Sequence, residues 1–136
     1  IRALGPVDQH SQLQLYLDGP KDKLFTLITS DVRGTGAPID TDAAPGSDLE
    51  YLRGRTVGDV VDAFQTATRE SLLKAGRPVR VIALRDVDES AMGALFMHFM
   101  VETLIAARLF AVNPFDQPAV EGGKKIARKL LLGWPT

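Results

Sequence analysis

Two short apolar runs constrain this chain more than any other feature. Leu24-Phe25-Thr26-Leu27-Ile28-Thr29 and Val79-Arg80-Val81-Ile82-Ala83-Leu84 have the length and the β-branched content of strands in a buried parallel sheet. Between them, Val57, Val60, Val61, Phe64, Ala67 and Leu72 keep helical spacing. Thr56, with Asp59 three positions on, forms a capping box with Asp in place of the usual Glu or Gln, and Gly76 and Pro78 stop the helix. A parallel pair needs a crossover of this kind, because a tight turn can only join antiparallel strands. The expected fold is α/β: a mostly parallel sheet flanked by helices.

The remaining elements follow the same logic. Asp8 reads as the N-cap of a first helix running from Gln9 to Leu17 and stopped by Gly19-Pro20. From about 30 to 54 periodicity fails among Gly, Pro, Asp and Ala, so a long loop is expected there; loops beyond about 12–15 residues are usually functional or disordered. Asp88 caps a helix from about Glu89 to Ala107 that is apolar almost all round near Met92–Phe99, which predicts burial. Arg108–Val112 reads as a third strand, and Val120–Leu132 as a last amphipathic helix with Lys124, Lys125, Arg128 and Lys129 on its polar side. The whole of 1–136 is read as one portion of a domain.

Composition narrows the function classes. Apolar residues make up 45% and charged residues 24%, with a net charge of −1, so nothing favours nucleic acid or an anionic membrane as partner. There is no cysteine, which removes disulfides, thiolate metal sites and cysteine nucleophiles; His10 and His98 lie too far apart for a compact metal motif. The apolar stretch Ala91–Val112 is interrupted by His98, Glu102, Thr103 and Arg108, which a membrane span of about 20 residues would rarely tolerate. Ile1-Arg2-Ala3-Leu4-Gly5 has no signal-peptide character and no initiator methionine, so a piece of a longer, cytoplasmic polypeptide is expected.

Most polar features have ordinary readings. His98 sits in an apolar helix and reads as a packing histidine. The Lys124-Lys125-Arg128-Lys129 cluster reads as a solvated face. Gly122-Gly123-Lys124-Lys125 is not a P-loop, because Pro118 stands where that motif needs Gly and Lys125 where it needs Ser or Thr. His10 is less ordinary: in the first turn of a helix the macrodipole favours a neutral imidazole, able to act as acid, base or donor to a sugar oxygen.

Two segments carry a resemblance. Gly5-Pro6-Val7-Asp8-Gln9-His10-Ser11 and Asn113-Pro114-Phe115-Asp116-Gln117-Pro118-Ala119-Val120-Glu121-Gly122-Gly123-Lys124 resemble the (D/G)QHS segment and the FDQxxVExGK signature of phosphoglucose isomerases, especially the bacterial ones. Met92-Gly93-Ala94-Leu95 and Val101-Glu102 lie between them in the family's order. The resemblance covers nearly the whole chain and implies the closing part of the second sugar-isomerase (SIS) domain.

That family interconverts glucose 6-phosphate and fructose 6-phosphate, in glycolysis and gluconeogenesis, without metal or organic cofactor. Carried over by motif, His10 is the histidine that moves a proton at the ring oxygen during ring opening, and it serves the neighbouring subunit of a homodimer. Lys124 is the lysine that offsets charge at that oxygen, and Gln117 is a substrate-binding glutamine. The family's base, a glutamate about thirty residues before the histidine, has no counterpart here, and neither does its Ser/Thr-rich phosphate loop. Glu50, Glu70, Glu89, Glu102 and Glu121 do not match the base's motif. The resemblance therefore implies an isomerase segment that is inactive by itself. A rival reading is a non-catalytic sugar-phosphate-binding or interaction module on the same scaffold. Pro118-Ala119 and Gly122 depart from the family's commoner residues and bear on how Lys124 is placed.

Overall fold

The computed structural model describes residues 2–40 and 48–134. In chain order the elements are α1 (Val7–Ser11), α2 (Leu13–Asp18), β1 (Phe25–Ser30), a 3-10 turn (Glu50–Leu52), α3 (Val57–Lys74), β2 (Val79–Leu84), α4 (Glu89–Leu109) and α5 (Pro118–Leu132). They form two compact units, Ile1–Asp88 and Glu89–Thr136.

The first unit is a β–α–β crossover with two short helices before it. β1 and β2 pair in parallel, with Phe25 opposite Val79, Leu27 opposite Val81 and Ser30 opposite Leu84, so the expected fold class is borne out in a two-stranded sheet. The capping box is present: Thr56 Oγ1 accepts from Asp59 N–H at 3.2 Å, and Asp59 Oδ2 accepts from Thr56 N–H at 2.9 Å. At its far end α3 closes in a Schellman motif. Gly76, at φ +66°, donates to Leu73 O, and Arg77 N–H donates to Leu72 O, both at 2.9 Å. Leu72, 1% exposed, is the most buried side chain of the unit. Tyr16 of α2 tilts against Phe25 of β1 with ring centroids 5.1 Å apart.

The loop after β1 is irregular but anchored. Gly34 N–H donates to Asp59 Oδ1, Gly58 N–H to Thr35 O, Val57 N–H to Ala37 O, and Pro38 forms an isolated bridge with Thr56. At the end of β1 the Gln65 side chain takes both backbone groups of Ser30, accepting from its N–H at 3.0 Å and donating to its carbonyl at 3.2 Å. Of the loop expected at about 30–54, residues 41–47 lie outside the described residues. The 3-10 turn at Glu50–Leu52 was not legible in the sequence.

Three expectations need correction. The first helix is two, broken at Gln12 (φ −122°, ψ −20°), whose side chain donates to Asp8 Oδ1 at 2.9 Å and accepts from Tyr16 Oη at 2.6 Å. Asp8 is not its N-cap; Pro6 holds that position, and the Asp8 carboxylate reaches back to the Leu4 N–H. No third strand forms at Arg108–Val112. α4 runs on to Leu109 and closes in a second Schellman arrangement, Ala111 N–H to Arg108 O and Val112 N–H to Ala107 O, with Ala111 at φ +54° in the left-handed region. Finally, α4 is not buried in this chain. Ala107 is buried, but Phe96, Met97, Met100, Leu104 and Ile105 are exposed, because the second unit holds α4 and α5 and, among the described residues, no sheet to receive an apolar helix. By length and composition α4 could cross a membrane.

Candidate functional site

His10 sits on the first unit. It is the fourth residue of the five-residue α1 and is exposed. Contrary to the expectation of a first-turn histidine, His10 lies in the last turn of a very short helix, where no N-terminal macrodipole acts on it. What surrounds it is a set of side-chain ties. Asp8 accepts from Leu4 N–H, from Gln12 Nε2 and, at 3.4 Å, from Ser11 Oγ. The hydrogen bond from Leu4 N–H does most to hold the Asp8 carboxyl below its ordinary value, against a smaller opposing effect of desolvation; Gln12 and Ser11 add to the lowering. A carboxylate so engaged is a weak base. Gln9, beside His10, donates from Nε2 to Thr68 Oγ1 of α3 at 2.6 Å.

Lys124 and Gln117 sit on the second unit. Gln117 is the N-cap of α5, with Pro118 at the first helical position, and its backbone N–H donates to Asp116 Oδ1 at 2.7 Å. Asn113 Oδ1 accepts from Phe115 N–H at 3.0 Å, so the Asn-Pro-Phe-Asp-Gln segment is shaped by its own side chains before the helix begins. Lys124 lies near the end of the second turn of α5, exposed, with Nζ 2.6 Å from Glu121 Oε1. An exposed (i, i+3) pair contributes little stability. His98, expected from sequence to be a packing histidine, is instead half exposed on α4, 3.8 Å from Glu102 and edge-on to Phe99.

A shallow groove of about 200 Å³ opens between β1 and α3, lined by Leu27, Thr29, Ser30, Asp62, Gln65 and Arg69 among others. Neither His10, Gln117 nor Lys124 lines it. Among the described residues no group of three or more His, Asp or Glu side chains could hold a metal ion.

No family model matches the chain. Curated proteins do: it is 41% identical over 126 residues to glucose-6-phosphate isomerase of Rubrobacter xylanophilus, covering 91% of this chain and 29% of that protein. It is 39% identical over 137 residues to a glucose-6-phosphate isomerase of Thermus thermophilus, covering 98% and 32%. The chain is similar to a segment of glucose-6-phosphate isomerase. A probable glucose-6-phosphate isomerase of Halobacterium salinarum matches at 42% identity over 132 residues, covering 97% of this chain and 30% of its own length. A crystal structure of a hypothetical protein from Thermus thermophilus superposes with a TM-score of 0.84 at 39% identity, over 96% of this chain and 31% of that one. The likeness expected from the two motifs is thus borne out at the level of whole-chain alignment. The chain spans about 30% of the length of the curated glucose-6-phosphate isomerases it matches.

Proposed function

We propose that these residues form part of a glucose-6-phosphate isomerase, the C-terminal part of its second sugar-isomerase domain, acting in the cytoplasm on glucose 6-phosphate and fructose 6-phosphate. The observation that carries the reading is identity of about 40% to several glucose-6-phosphate isomerases along nearly the entire chain, the Halobacterium and Thermus alignments covering 97% and 98% of it and so taking in both motifs.

His10 and Lys124 are the catalytic residues in this reading, and Gln117 binds substrate. Opening the hemiacetal breaks the bond between C1 and the ring oxygen. The hydroxyl proton at C1 leaves as the carbonyl forms, and the ring oxygen takes up a proton; His10 handles that transfer, and the Lys124 ammonium offsets charge developing at the same oxygen. Isomerisation of the open chain then needs a base to take the proton at C2 and return it at C1 of an enediol. That base is a glutamate with no counterpart among the motifs of this chain, so residues 1–136 alone are inactive.

The exposure of His10 suits service to the active site of a neighbouring subunit in a homodimer. The exposed apolar surface of α4 suits coverage by protein in such an assembly; His98, Glu102 and Arg108 along the helix argue against lipid.

The test is a coupled assay of fructose 6-phosphate conversion, run on residues 1–136 alone and on the full native polypeptide carrying them. No turnover by the short chain, turnover by the full polypeptide, and a loss of about 10²-fold or more in His10→Ala are expected. Turnover by the short chain would overturn the account of the base. An unchanged rate in His10→Ala would overturn the role of His10.

A further inference from the structure

α1 is too short to hold itself in place. Five residues close barely one turn, and isolated helices under about 12 residues are marginal in water. Apolar packing does not hold it either, since Leu4 and Val7 on this segment are 60% and 74% exposed. Within α1 only Asp8 and Gln9 are partly buried. The Asp8 bonds are all local, to Leu4, Ser11 and Gln12, and give the segment its shape without fixing its position.

Gln9 makes the contact that does fix it. Its Nε2 donates to Thr68 Oγ1 at 2.6 Å, across 59 residues of sequence, on an α3 that is itself capped at both ends. Among the hydrogen bonds described for α1, this one alone reaches an element distant in sequence. The amide is also enclosed: a Cβ at Gly5 would stand 3.2 Å from Gln9 Nε2, and Gln9 Oε1 is buried without a hydrogen-bond partner. Consecutive helical residues point roughly 100° apart. A Gln9 drawn onto α3 therefore fixes the direction in which exposed His10 faces.

We infer that Gln9 and Thr68 are positioning residues for His10, acting through the Gln9 amide to Thr68 hydroxyl bond. The inference rests on the catalytic reading of His10 above. A misplacement of about 1 Å costs up to about 10²-fold in rate, so loss of the bond should be visible in ring opening while substrate affinity stays nearly constant.

The experiment uses the full native polypeptide carrying these residues. Thr68→Val removes the hydroxyl at nearly constant shape, and Thr68→Ser restores it. Gln9→Met keeps side-chain length without the amide and tests the bond from its other end, so either variant suffices if the other fails to fold. Two rates are read: fructose 6-phosphate conversion, and interconversion of the glucose 6-phosphate anomers, which reports ring opening by itself. Expected is a fall of about tenfold in both rates for Thr68→Val and Gln9→Met, KM within about twofold, and recovery in Thr68→Ser. Wild-type rates in Thr68→Val and Gln9→Met alongside a collapse in His10→Ala would overturn the positioning role and leave His10 standing. Equal losses in Thr68→Val and Thr68→Ser would overturn it too. Undiminished ring opening in His10→Ala would instead show that the functional reading had failed.

Discussion

Asp59 Oδ1 accepts a hydrogen bond from the backbone N–H of Gly34 at 3.0 Å, while the other oxygen of the same carboxylate accepts from the Thr56 N–H at the start of α3, in whose first turn Asp59 lies. One side chain thus fastens the loop after β1 to the start of the crossover helix.

This relationship makes stability depend on pH. The Thr56 N–H, and after it the Gly34 N–H, hold the Asp59 carboxyl below its ordinary 3.8. A folded-state value below the unfolded one stabilises the fold above about pH 4, and that contribution is lost as pH falls through the folded value. Urea midpoints should hold steady from neutrality to about pH 5 and then drop. Asp59→Asn should flatten the acid limb. A curve of unchanged shape in Asp59→Asn would assign the acid sensitivity to Asp8 and Asp22, which are lowered as well. Thr56→Ala, which removes the reciprocal cap, should cost about 1 kcal/mol at neutral pH.

Gly58 should resist substitution. A Cβ there would collide with the Val32 carbonyl oxygen and stand 2.7 Å from Thr35 O and from Thr35 Oγ1. Gly58→Ala is expected to lose about 1–3 kcal/mol in urea unfolding, the usual range for overpacking, although alanine is the better helix former. A neutral or stabilised variant would mean that the loop at 32–35 does not rest on α3 as described.

Ala111 should prefer to be glycine. It closes α4 at φ +54°, where a Cβ costs roughly 1–2 kcal/mol, and Gly returns part of that gain through its larger unfolded-state entropy. Ala111→Gly is predicted to raise stability by about 0.5–1 kcal/mol in thermal melts. A loss would indicate that 108–112 adopts some other backbone.

Arg77 is a buried cation that should not tolerate truncation. At 4% exposure it donates from one terminal nitrogen to Leu17 O at 2.6 Å and Gly19 O at 2.7 Å, closing the end of α2, while its Nε is buried without a partner. Arg77→Ala should cost about 2–3 kcal/mol, since the bonds are charge-assisted and two carbonyls lose their donor. Arg77→Lys should recover only part of this, because the lysine side chain ends one bond short of the terminal nitrogen that reaches both carbonyls. Full recovery by lysine would show that charge alone matters there.

What the sequence disclosed and what it hid divide along a physical line. Signals carried by neighbours in sequence were legible: the β-branched runs at 24–29 and 79–84, the first one residue off the strand that forms, the Thr56–Asp59 box, the Gly76 stop, and the two motifs holding His10 and Lys124. Features decided by distant partners were not. Arg77 reads as one more charged residue before a proline until Leu17, 60 positions away, is seen beside it. Gln9 reads as part of a motif until Thr68 is found at its amide. The apolar run at 108–112 suits a strand as well as a helix end, and Ala111 gives no hint of the left-handed turn that decided it. Burial of α4 was inferred from composition, but composition describes what a helix needs and not whether this chain supplies it.

The register of the sheet has a kinetic consequence. Phe25 meets Val79, and every other rung spans the same 54 residues, so no rung forms early from a local encounter. Closing a flexible loop of that length costs about 3.5 kcal/mol in chain entropy. Unless α3 shortens the path first, the nascent chain bears that cost in full before the pairing returns anything. Strand pairing is then the slow step, and its rate should follow the helicity of α3: mutations at Thr56 or Gly76 would slow folding more than they speed unfolding.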